Sequence, residues 1–380
     1  MKLRLSRITD GKKIISEIEG LRFISILLVV LSHINNNLLG VYPQSYQSLS
    51  GTPFAVFLEE CGAGVNIFFF ISGFILAIPF LKAYVYDEKK ISLRRYYYRR
   101  LTRIEPPYII SLLFFFLIAI LVLDQPFLYA LEHFTASIFY MHNIIYNHIS
   151  TINPVAWTLE IEIQYYIIFP LIAVALFFKN HLLRRLCLIT LFLLTGTLYA
   201  QNFSFFNKYS LTKSLFAPFS LFIAGIIVAD LYLAGKSFFT GTKNFLFDVP
   251  GFATLYFIIT LSGFQGFGYR IFVFICYFIL FTSIFKGKFL NKIFTNKWVV
   301  IIGGMCYSIY LLHYGITYFI IQTFTKNFIS YNHPRDFFIQ SILIIPIILV
   351  ISIIFFILLE RPFMNINWPN KLKSFFQKNF

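Results

Sequence analysis

The chain has 380 residues, of which 58% are hydrophobic and only 13% are charged, and its net charge is +16. This composition excludes a soluble globular enzyme and is typical of an integral membrane protein. Several apolar runs exceed the roughly 20 residues that a helix needs to cross a ~30 Å hydrocarbon core. The runs are continuous and lack an alternating pattern, so they indicate transmembrane helices rather than the strands of a barrel.

The apolar runs predict an all-α, polytopic membrane protein with ten transmembrane helices in a single domain spanning residues 1–380, without a separate soluble domain. The predicted spans cover residues 21–39, 63–81, 106–123, 156–178, 182–200, 214–233, 248–264, 269–285, 298–324 and 336–359. An eleventh stretch at 127–145 is interrupted by Glu132, His133 and His142. We therefore expect a re-entrant or interfacial helix there.

The basic residues predict the orientation of the chain. If the N-terminus is cytoplasmic, ten spans place 26 of the 32 Lys and Arg residues on the inner side, as the positive-inside rule requires. Counting 127–145 as a full span would move most of the later basic segments outside. Both termini are therefore predicted to be cytoplasmic, and most of the net charge reflects membrane topology without any need for nucleic acid.

One basic block, "KKISLRRYYYRRLTR" at 89–103, is denser than topology alone requires. It is either a positive-inside loop that touches anionic lipid or a cytosolic site for a polyanion, for which arginine forks are suited. The four cysteines show no metal or redox spacing, so we expect buried packing roles for them and no metal site.

The first span carries two unusual side chains. Arg22 and His33 are 11 residues apart, which at 100° per residue puts them on one helix face, roughly 16 Å apart along the axis, with Glu19 on the same face. His33 is then close to the bilayer midplane. Ionisable groups at that depth are costly unless they face a cavity or a partner, so His33 is either a functional residue or a histidine hydrogen-bonded between helices.

Three further clusters are polar. "NPVAWTLEIEIQYY" carries Glu160 and Glu162 with no basic residue nearby, and the helix period points the two carboxylates in different directions. Glu162 shares its face with Tyr166. The other clusters place Asn66 and Gly73 on one side of the second span, and Tyr310 and His313 one turn apart within the ninth; each also fits helix packing.

The order of these motifs resembles acyltransferase family 3, the bacterial membrane enzymes that acylate hydroxyls on cell-surface glycans. The resemblance is carried, over about 17–363, by "EIEGLRFISILLVVLSH", "GVNIFFFISGF", "RRLTRIEPPY", "WTLEIEIQYY", "CYSIYLLHYG" and "LLERPF". The family also has ten helices. Two positions depart from its pattern, since Asn66 stands where an aspartate is common and Glu160 where a small residue is usual.

The resemblance implies an acyl-CoA donor, most often acetyl-CoA, that approaches from the cytosol, and an envelope carbohydrate or lipid-linked sugar as the acceptor. It implies a protein of the bacterial inner membrane, in contact with lipid. Arg99, Arg100 and Arg103 would bind the phosphates of CoA, and Arg22 would assist donor binding or organise the site.

For the chemistry, the resemblance implies His33 as general base, Asn66 as an oxyanion donor, and Glu162 as a residue that orients His33 or binds the acceptor. Trp157, Glu160, Tyr310 and His313 are candidates for acceptor binding. His33 could instead be acylated itself in a two-step relay. A transporter or flippase for envelope precursors is the alternative function, and it would require no CoA.

Overall fold

The computed structural model describes residues 5–8, 14–41, 52–88, 90–201, 214–261, 267–325, 332–365 and 367–368, and all regular elements in these residues are helical. The helices in chain order are α1 Ser16–Val41, α2 Pro53–Glu60, α3 Gly64–Tyr84, α4 Leu93–Leu121, α5 Phe127–Ile138, α6 His142–Tyr146, α7 Trp157–Leu176, α8 His181–Gln201, α9 Phe219–Ala234, α10 Lys236–Thr240, α11 Asp248–Thr260, α12 Phe267–Lys286, α13 Lys288–Phe294, α14 Lys297–Gly304, α15 Cys306–Thr323 and α16 His333–Phe355.

Seven helical segments of the described chain are long and apolar enough to cross a membrane. An eighth is obtained if α14 and α15 are counted as one bent span. The expected spans at 214–233 and 248–264 correspond to α9 and α11, which are shorter apolar helices. The all-α class is therefore confirmed for the described residues, whereas the count of ten and the cytoplasmic placement of both termini stay predictions.

The stretch at 127–145 is not a continuous helix. It forms α5 and the five-residue α6, separated by a break at which Tyr140 has a φ of 56°. A positive φ at a residue with a side chain is incompatible with continuing a right-handed helix. This stretch is absent from the candidate spans among the described residues, as the three polar residues within it led us to expect.

From Leu93 onwards the basic block is the start of α4 rather than a loop. This helix begins at Leu93, well before the expected boundary at 106, because Ser92 caps it by accepting a hydrogen bond from the Arg95 amide at 3.3 Å. Tyr96 and Tyr97 donate hydrogen bonds to backbone carbonyl oxygens of α7, at 3.1 and 3.0 Å. The arginines of the block therefore project from an ordered helix that is docked on its neighbour.

Helix α1 packs against α2, α3, α13, α14, α15 and α16. Glycine allows its closest crossing, since a Cβ atom at Gly303 of α14 would lie 1.9 Å from the Glu19 carbonyl oxygen. The α3–α9 crossing is equally close: a Cβ atom at Gly73 would lie 2.0 Å from the Phe222 carbonyl oxygen. Gly73 has the packing role expected for it, in the contact between α3 and α9. Small residues thus allow the backbones of α1 and α14, and of α3 and α9, to approach closely.

The ninth predicted span is broken. Helices α14 and α15 meet at Met305 with a bend of 71°. The fully buried Glu360 lies beside the first turn of α15, where its Oε2 atom accepts hydrogen bonds from the amide and the hydroxyl of Ser308, at 3.1 and 2.5 Å. A carboxylate favours a helix N-terminus because unpaired amides and the helix dipole are there. The closing "LLERPF" stretch therefore holds the start of the helix that carries Tyr310 and His313.

Candidate active site

A pair of histidines joins α1 to α15. The Nδ1 atom of His33 lies 2.7 Å from Nε2 of His313, and the two rings stack with their centroids 5.0 Å apart. His313 is fully buried, whereas His33 is only partly buried. The partner that the sequence left open for His33 is therefore a second histidine, 280 residues further along the chain.

The hydrogen-bond partners determine which nitrogen of each ring carries a proton. Nδ1 of His313 lies 2.9 Å from the Tyr310 carbonyl oxygen and 3.1 Å from that of Ile309, and carbonyls only accept, so this nitrogen is the donor. In a neutral His313 the Nε2 atom is then an acceptor, which requires His33 to donate from Nδ1. The Nε2 atom of His33 is left with its lone pair free, as a general base requires.

Tyr310 ties α15 to the start of α7. Its hydroxyl donates to the Val155 carbonyl oxygen at 2.6 Å and lies 2.5 Å from the Thr158 hydroxyl, which donates to it in turn. Asn153 donates to the Leu311 carbonyl oxygen at 3.1 Å across the same junction. Tyr310 therefore fixes the position of α7 relative to the histidine pair. This positioning contact is additional to the acceptor-binding role that the resemblance implies for Tyr310.

Glu162 lies on the same face of α7 as Tyr166, as the helix period predicted. Its Oε1 atom accepts hydrogen bonds from the Ser72 hydroxyl at 3.3 Å and, over a shorter distance, from the Tyr166 hydroxyl. The carboxylate also interacts electrostatically with Arg22 and Tyr310. No hydrogen bond joins Glu162 to His33 within the described chain, and it is His313 that orients the His33 ring.

Glu160 points in a different direction, as its position on the helix predicted. The side chain is 1% exposed, and its Oε2 atom accepts hydrogen bonds from the backbone and side-chain nitrogens of Asn143, both at 3.0 Å. Glu160 therefore attaches α7 to α6. The atom Oε1 of the same carboxylate is buried and makes no hydrogen bond to the described residues.

Arg22 pairs with Glu19, which the helix period placed on the same face of α1. The Nη1 atom of Arg22 lies 3.0 and 3.1 Å from the two carboxylate oxygens of Glu19. Arg7, which the sequence pattern did not single out, donates to the same carboxylate at 2.9 Å. Both arginine side chains are 14% exposed, so the N-terminal end of α1 holds two almost buried guanidinium groups on one acid.

The three arginines of the basic block that are candidates for donor binding have different surroundings. The Arg100 guanidinium lies over the Tyr166 ring at 4.6 Å, which is the geometry of a cation–π contact. Arg103 interacts electrostatically with Arg22, Arg100 and Glu360. Arg99 is half-buried beside them on α4. Arg103 and Arg22 thus belong to one cluster, and Arg100 connects it to the Glu162 region through Tyr166.

Asn66 of α3 and Trp157 of α7 make no hydrogen bond to the histidine pair or to Glu162 within the described chain. Asn66 is half-buried, two residues after Gly64, where a Cβ atom would lie 2.3 Å from the Ser25 carbonyl oxygen of α1. Its amide makes no hydrogen bond to the described residues. Trp157 is half-buried at the start of α7 and packs against the main hydrophobic core.

Two other features of the chain are separate from this cluster. An open depression of about 580 Å³ is lined by residues of α5, α6 and their connection and includes none of the predicted site residues. Of the cysteines, Cys61 and Cys276 are buried, and Cys187 and Cys306 are half-buried; all four are free thiols. Across the ranges that the structure describes, no three His, Cys, Asp or Glu side chains are arranged to hold a metal ion.

Sequence reasoning missed three contributors to the site. The role of His313 as the partner of His33 follows only from the packing of α15 on α1. Glu360 had a signal in the "LLERPF" motif, although its contact with Ser308 could not be deduced from spacing. Arg7 had no signal beyond its charge, because a short segment before a span ordinarily indicates only topology.

Comparison with known proteins gives a consistent result. The family model described as an acyltransferase domain matches residues 15–361. The O-acetyltransferase OatA of Staphylococcus aureus strain NCTC 8325 is 25% identical over 325 residues, which cover 80% of this chain and 50% of that protein. A protein of strain COL, whose name gives O-acetyltransferase as an inferred activity, is 27% identical over 330 residues with the same coverage.

The chain spans about half the length of the curated relatives it matches. No solved structure matches it. The family model nonetheless covers most of the chain, and the matched range contains the polar motifs from α1 onwards, with the closing "LLERPF" included as far as Arg361. The chain therefore belongs to acyltransferase family 3.

Proposed function

We propose that this chain is a membrane O-acyltransferase that moves an acyl group, most simply acetyl, from cytosolic acyl-CoA to a hydroxyl of an envelope carbohydrate or lipid-linked sugar. The family and its O-acetyltransferase relatives support the acyltransferase activity. The long apolar helices support a multi-pass protein, for which the bacterial inner membrane is the proposed location. The proposal treats residues 1–380 as one catalytic domain.

The observation that carries this proposal is the hydrogen bond between His33 and His313. In the proposed reaction, Nε2 of His33 takes the proton from the acceptor hydroxyl while the hydroxyl oxygen attacks the thioester carbonyl. The tetrahedral intermediate collapses by breaking its C–S bond. The CoA thiolate then leaves as a thiol by taking the proton from the His33 imidazolium, so the histidine returns to its starting state.

His313 acts through His33 in this scheme. When His33 becomes an imidazolium, its Nδ1–H group still donates to Nε2 of His313, and the hydrogen bond strengthens because its donor is charged. Two backbone carbonyls keep the His313 ring in the accepting tautomer. The ring of His33 therefore needs no reorientation during proton transfer, which is the benefit of a preorganised base.

The remaining residues take proposed roles around this pair. Arg22, Arg99, Arg100 and Arg103 bind the donor at the inner end of the site, and Glu162 with Trp157 and Tyr310 line the approach of the acceptor. Asn66 donates to the oxyanion of the intermediate. Its free amide supports that role, because a donor already used by another acceptor would not be available.

The direct test uses the purified protein in lipid nanodiscs, labelled acetyl-CoA and an extract of envelope carbohydrate. We expect release of the CoA thiol that depends on the extract, and a rate at least about 100-fold lower for His33→Ala, since general base catalysis is worth that factor or more. His148→Ala, which removes an exposed histidine, is the control. A normal rate for His33→Ala, or transport of sugar without consumption of CoA, would refute the proposal.

The same preparation distinguishes direct transfer from an acyl-histidine relay. Without acceptor, direct transfer leaves the protein unlabelled. A relay would leave label on wild-type protein that hydroxylamine removes and that His33→Ala lacks. We propose direct transfer as the scheme with fewer steps; a free lone pair on Nε2 and a donating Nδ1 suit a base and a nucleophile equally, so the label decides between them.

A further inference from the structure

The short segment of residues 5–8 is anchored on the inner end of the helix bundle. Leu5 and Ile8 pack against the cluster formed by Met305, Phe356 and Met364. The Ser6 carbonyl oxygen accepts a hydrogen bond from Nε of Arg361 at 3.3 Å. These contacts lie on both sides of Arg7, so packing of the neighbouring residues holds the Arg7 backbone in place and determines where its side chain lies.

Arg7 thereby enters a cluster that already contains two other arginines. Its Nη1 atom lies 2.9 Å from Glu19, the acid that Arg22 contacts at 3.0 Å. Arg103 of α4 interacts electrostatically with both Arg7 and Arg22. The second acid of the cluster, Glu360, acts on Arg7 and Arg103, while one of its oxygens is used by Ser308.

The cluster carries more positive than negative charge. Counting Arg100 beside Arg103 and Glu162 beside Arg22, four guanidinium groups face three carboxylates, and the side chains of the Glu19 group are only 8–14% exposed. Burial, together with the charges of Arg103 and Arg22, lowers the pKa of Arg7 to about 9. An excess of buried positive charge is unfavourable because the guanidinium groups lose hydration and repel one another. A bound anion would neutralise this excess and remove its free-energy cost.

We propose that Arg7, Arg22 and Arg103 form a binding site for a phosphate or pyrophosphate group of the acyl donor, with Arg7 supplied by the N-terminal segment. Guanidinium groups bind phosphate oxygens through paired hydrogen bonds, which suits three arginines that converge from α1, α4 and the N-terminal segment. The inference rests on the proposed function for the identity of the donor. The inference adds Arg7, which precedes the motifs quoted from 17–363, to the residues proposed to bind the donor.

The test compares two donors, acetyl-CoA and acetyl-pantetheine, which carries the same thioester and lacks phosphate. For Arg7→Gln we expect KM for acetyl-CoA to rise about tenfold, the effect of losing one charged contact to phosphate. The kcat with acetyl-CoA and the KM for acetyl-pantetheine should stay at wild-type values. Arg7→Lys, which keeps the charge, should recover part of the affinity for acetyl-CoA.

Arg95→Gln is the matched control, because Arg95 is exposed on the same basic block and outside the cluster. It should leave both KM values unchanged. Equal increases of KM for the two donors in Arg7→Gln, or no change for either, would overturn the proposal, since a purely structural role cannot distinguish donors by their phosphates.

A binding measurement separates this inference from the proposed reaction. Inorganic pyrophosphate should raise the thermal unfolding midpoint of the wild-type protein and of Arg95→Gln, and should have a smaller effect on Arg7→Gln. If no acyl transfer is found but this difference is present, the reaction is wrong and the anion site stands. If transfer is found and pyrophosphate acts equally on all three proteins, the site is wrong and the reaction stands.

Discussion

Among single residues, the proposed reaction depends on the direction of one hydrogen bond. His33 donates to His313 because His313 has its other nitrogen on two backbone carbonyls. The same-face relation of Arg22 and His33 was predictable from 3.6 residues per turn, since α1 is a regular helix throughout both positions. The partner of His33 was not predictable, because contacts between α1 and α15 depend on tertiary packing.

His313→Phe should lower kcat about 100-fold and leave KM for the donor unchanged, because the variant loses the acceptor that orients His33 and stabilises its charged form. His313→Gln should retain part of the rate, since an amide oxygen can accept the hydrogen bond from Nδ1. Initial rates of thiol release at saturating donor provide the measurement. Equal loss in both variants would mean that the hydrogen bond has no role in the rate.

At the scale of elements, the break between α14 and α15 is stabilised from a distance. Glu360 binds the first turn of α15 through Ser308, and the chain at Phe356–Glu360 is a π-helix. π-Helical turns are rare and concentrate at functional sites. Here the π-helix ends at Glu360, the residue that contacts the first turn of α15.

Glu360→Ala should therefore lower the free energy of unfolding by about 2 kcal/mol, the value of hydrogen bonds to a charged group, and also reduce activity because His313 lies on α15. The control is Glu88→Ala, which removes an exposed ion pair with Lys82 and should cost less than about 1 kcal/mol. Thermal unfolding in detergent measures both. A similar small effect of the two variants would contradict the role assigned to Glu360.

Buried histidines in the α5–α6 region should make the stability of the protein depend on pH. His142 is fully buried, and its Nε2 atom is 2.7 Å from Nδ1 of His133. Its ring contacts those of Tyr146 and His148, Glu160 interacts with its backbone, and Glu132 acts on the neighbouring His133. Burial, with the charges of His133 and His148 as further causes, lowers the pKa of His142 to about 4. The unfolded chain therefore binds this proton at a higher pH than the folded chain does.

The contribution of His142 to stability should fall as the pH drops from about 7 towards 4 and stay constant below that, because between these values protons bind the unfolded state preferentially. The loss attributable to His142 between pH 7 and pH 5 is about 1.5 kcal/mol. The unfolding midpoint of His142→Gln should depend less on pH over this window than that of the wild-type protein. Parallel pH profiles of the two proteins would show that His142 is not the group responsible.

Hydropathy located most of these elements but not their interruptions. A window average identified 298–324 as one apolar span, although the backbone turns by 71° at Met305. The average also missed the early start of α4, because arginines and tyrosines lower the hydropathy of a segment without preventing a helix. Breaks and starts depend on local hydrogen bonds, such as those of Ser92 and Glu360, which composition does not contain.

At the scale of the whole molecule, charge and hydropathy together predict the orientation in the membrane. The arginine cluster and the histidine pair lie at different depths along α1, about 16 Å apart by helix rise. A donor bound at the cluster would be on the side with most of the basic residues, and its thioester could extend towards His33. This arrangement requires the N-terminus and the block at 89–103 to face the cytosol.

Single cysteines test that orientation. In intact cells, a membrane-impermeant thiol reagent should label Leu123→Cys, after α4, and should not label Lys90→Cys, before it; both positions are exposed in the structure. Lys90→Cys should become reactive when the cells are opened. The wild-type protein, with its four cysteines buried or half-buried, reports the background. The reverse labelling pattern would invert the predicted topology.

The most direct test of the central claim is mass spectrometry of alkali-labile acetyl esters on envelope carbohydrate from cells that express the wild-type protein, His33→Ala or neither. We expect acetyl esters on a carbohydrate component of cells that express the wild-type protein. The same esters should be absent from cells that lack the protein and from His33→Ala cells that hold an equal amount of the protein in the membrane. Equal ester content in wild-type and His33→Ala cells would contradict the assignment of His33 as the base of an O-acyltransferase.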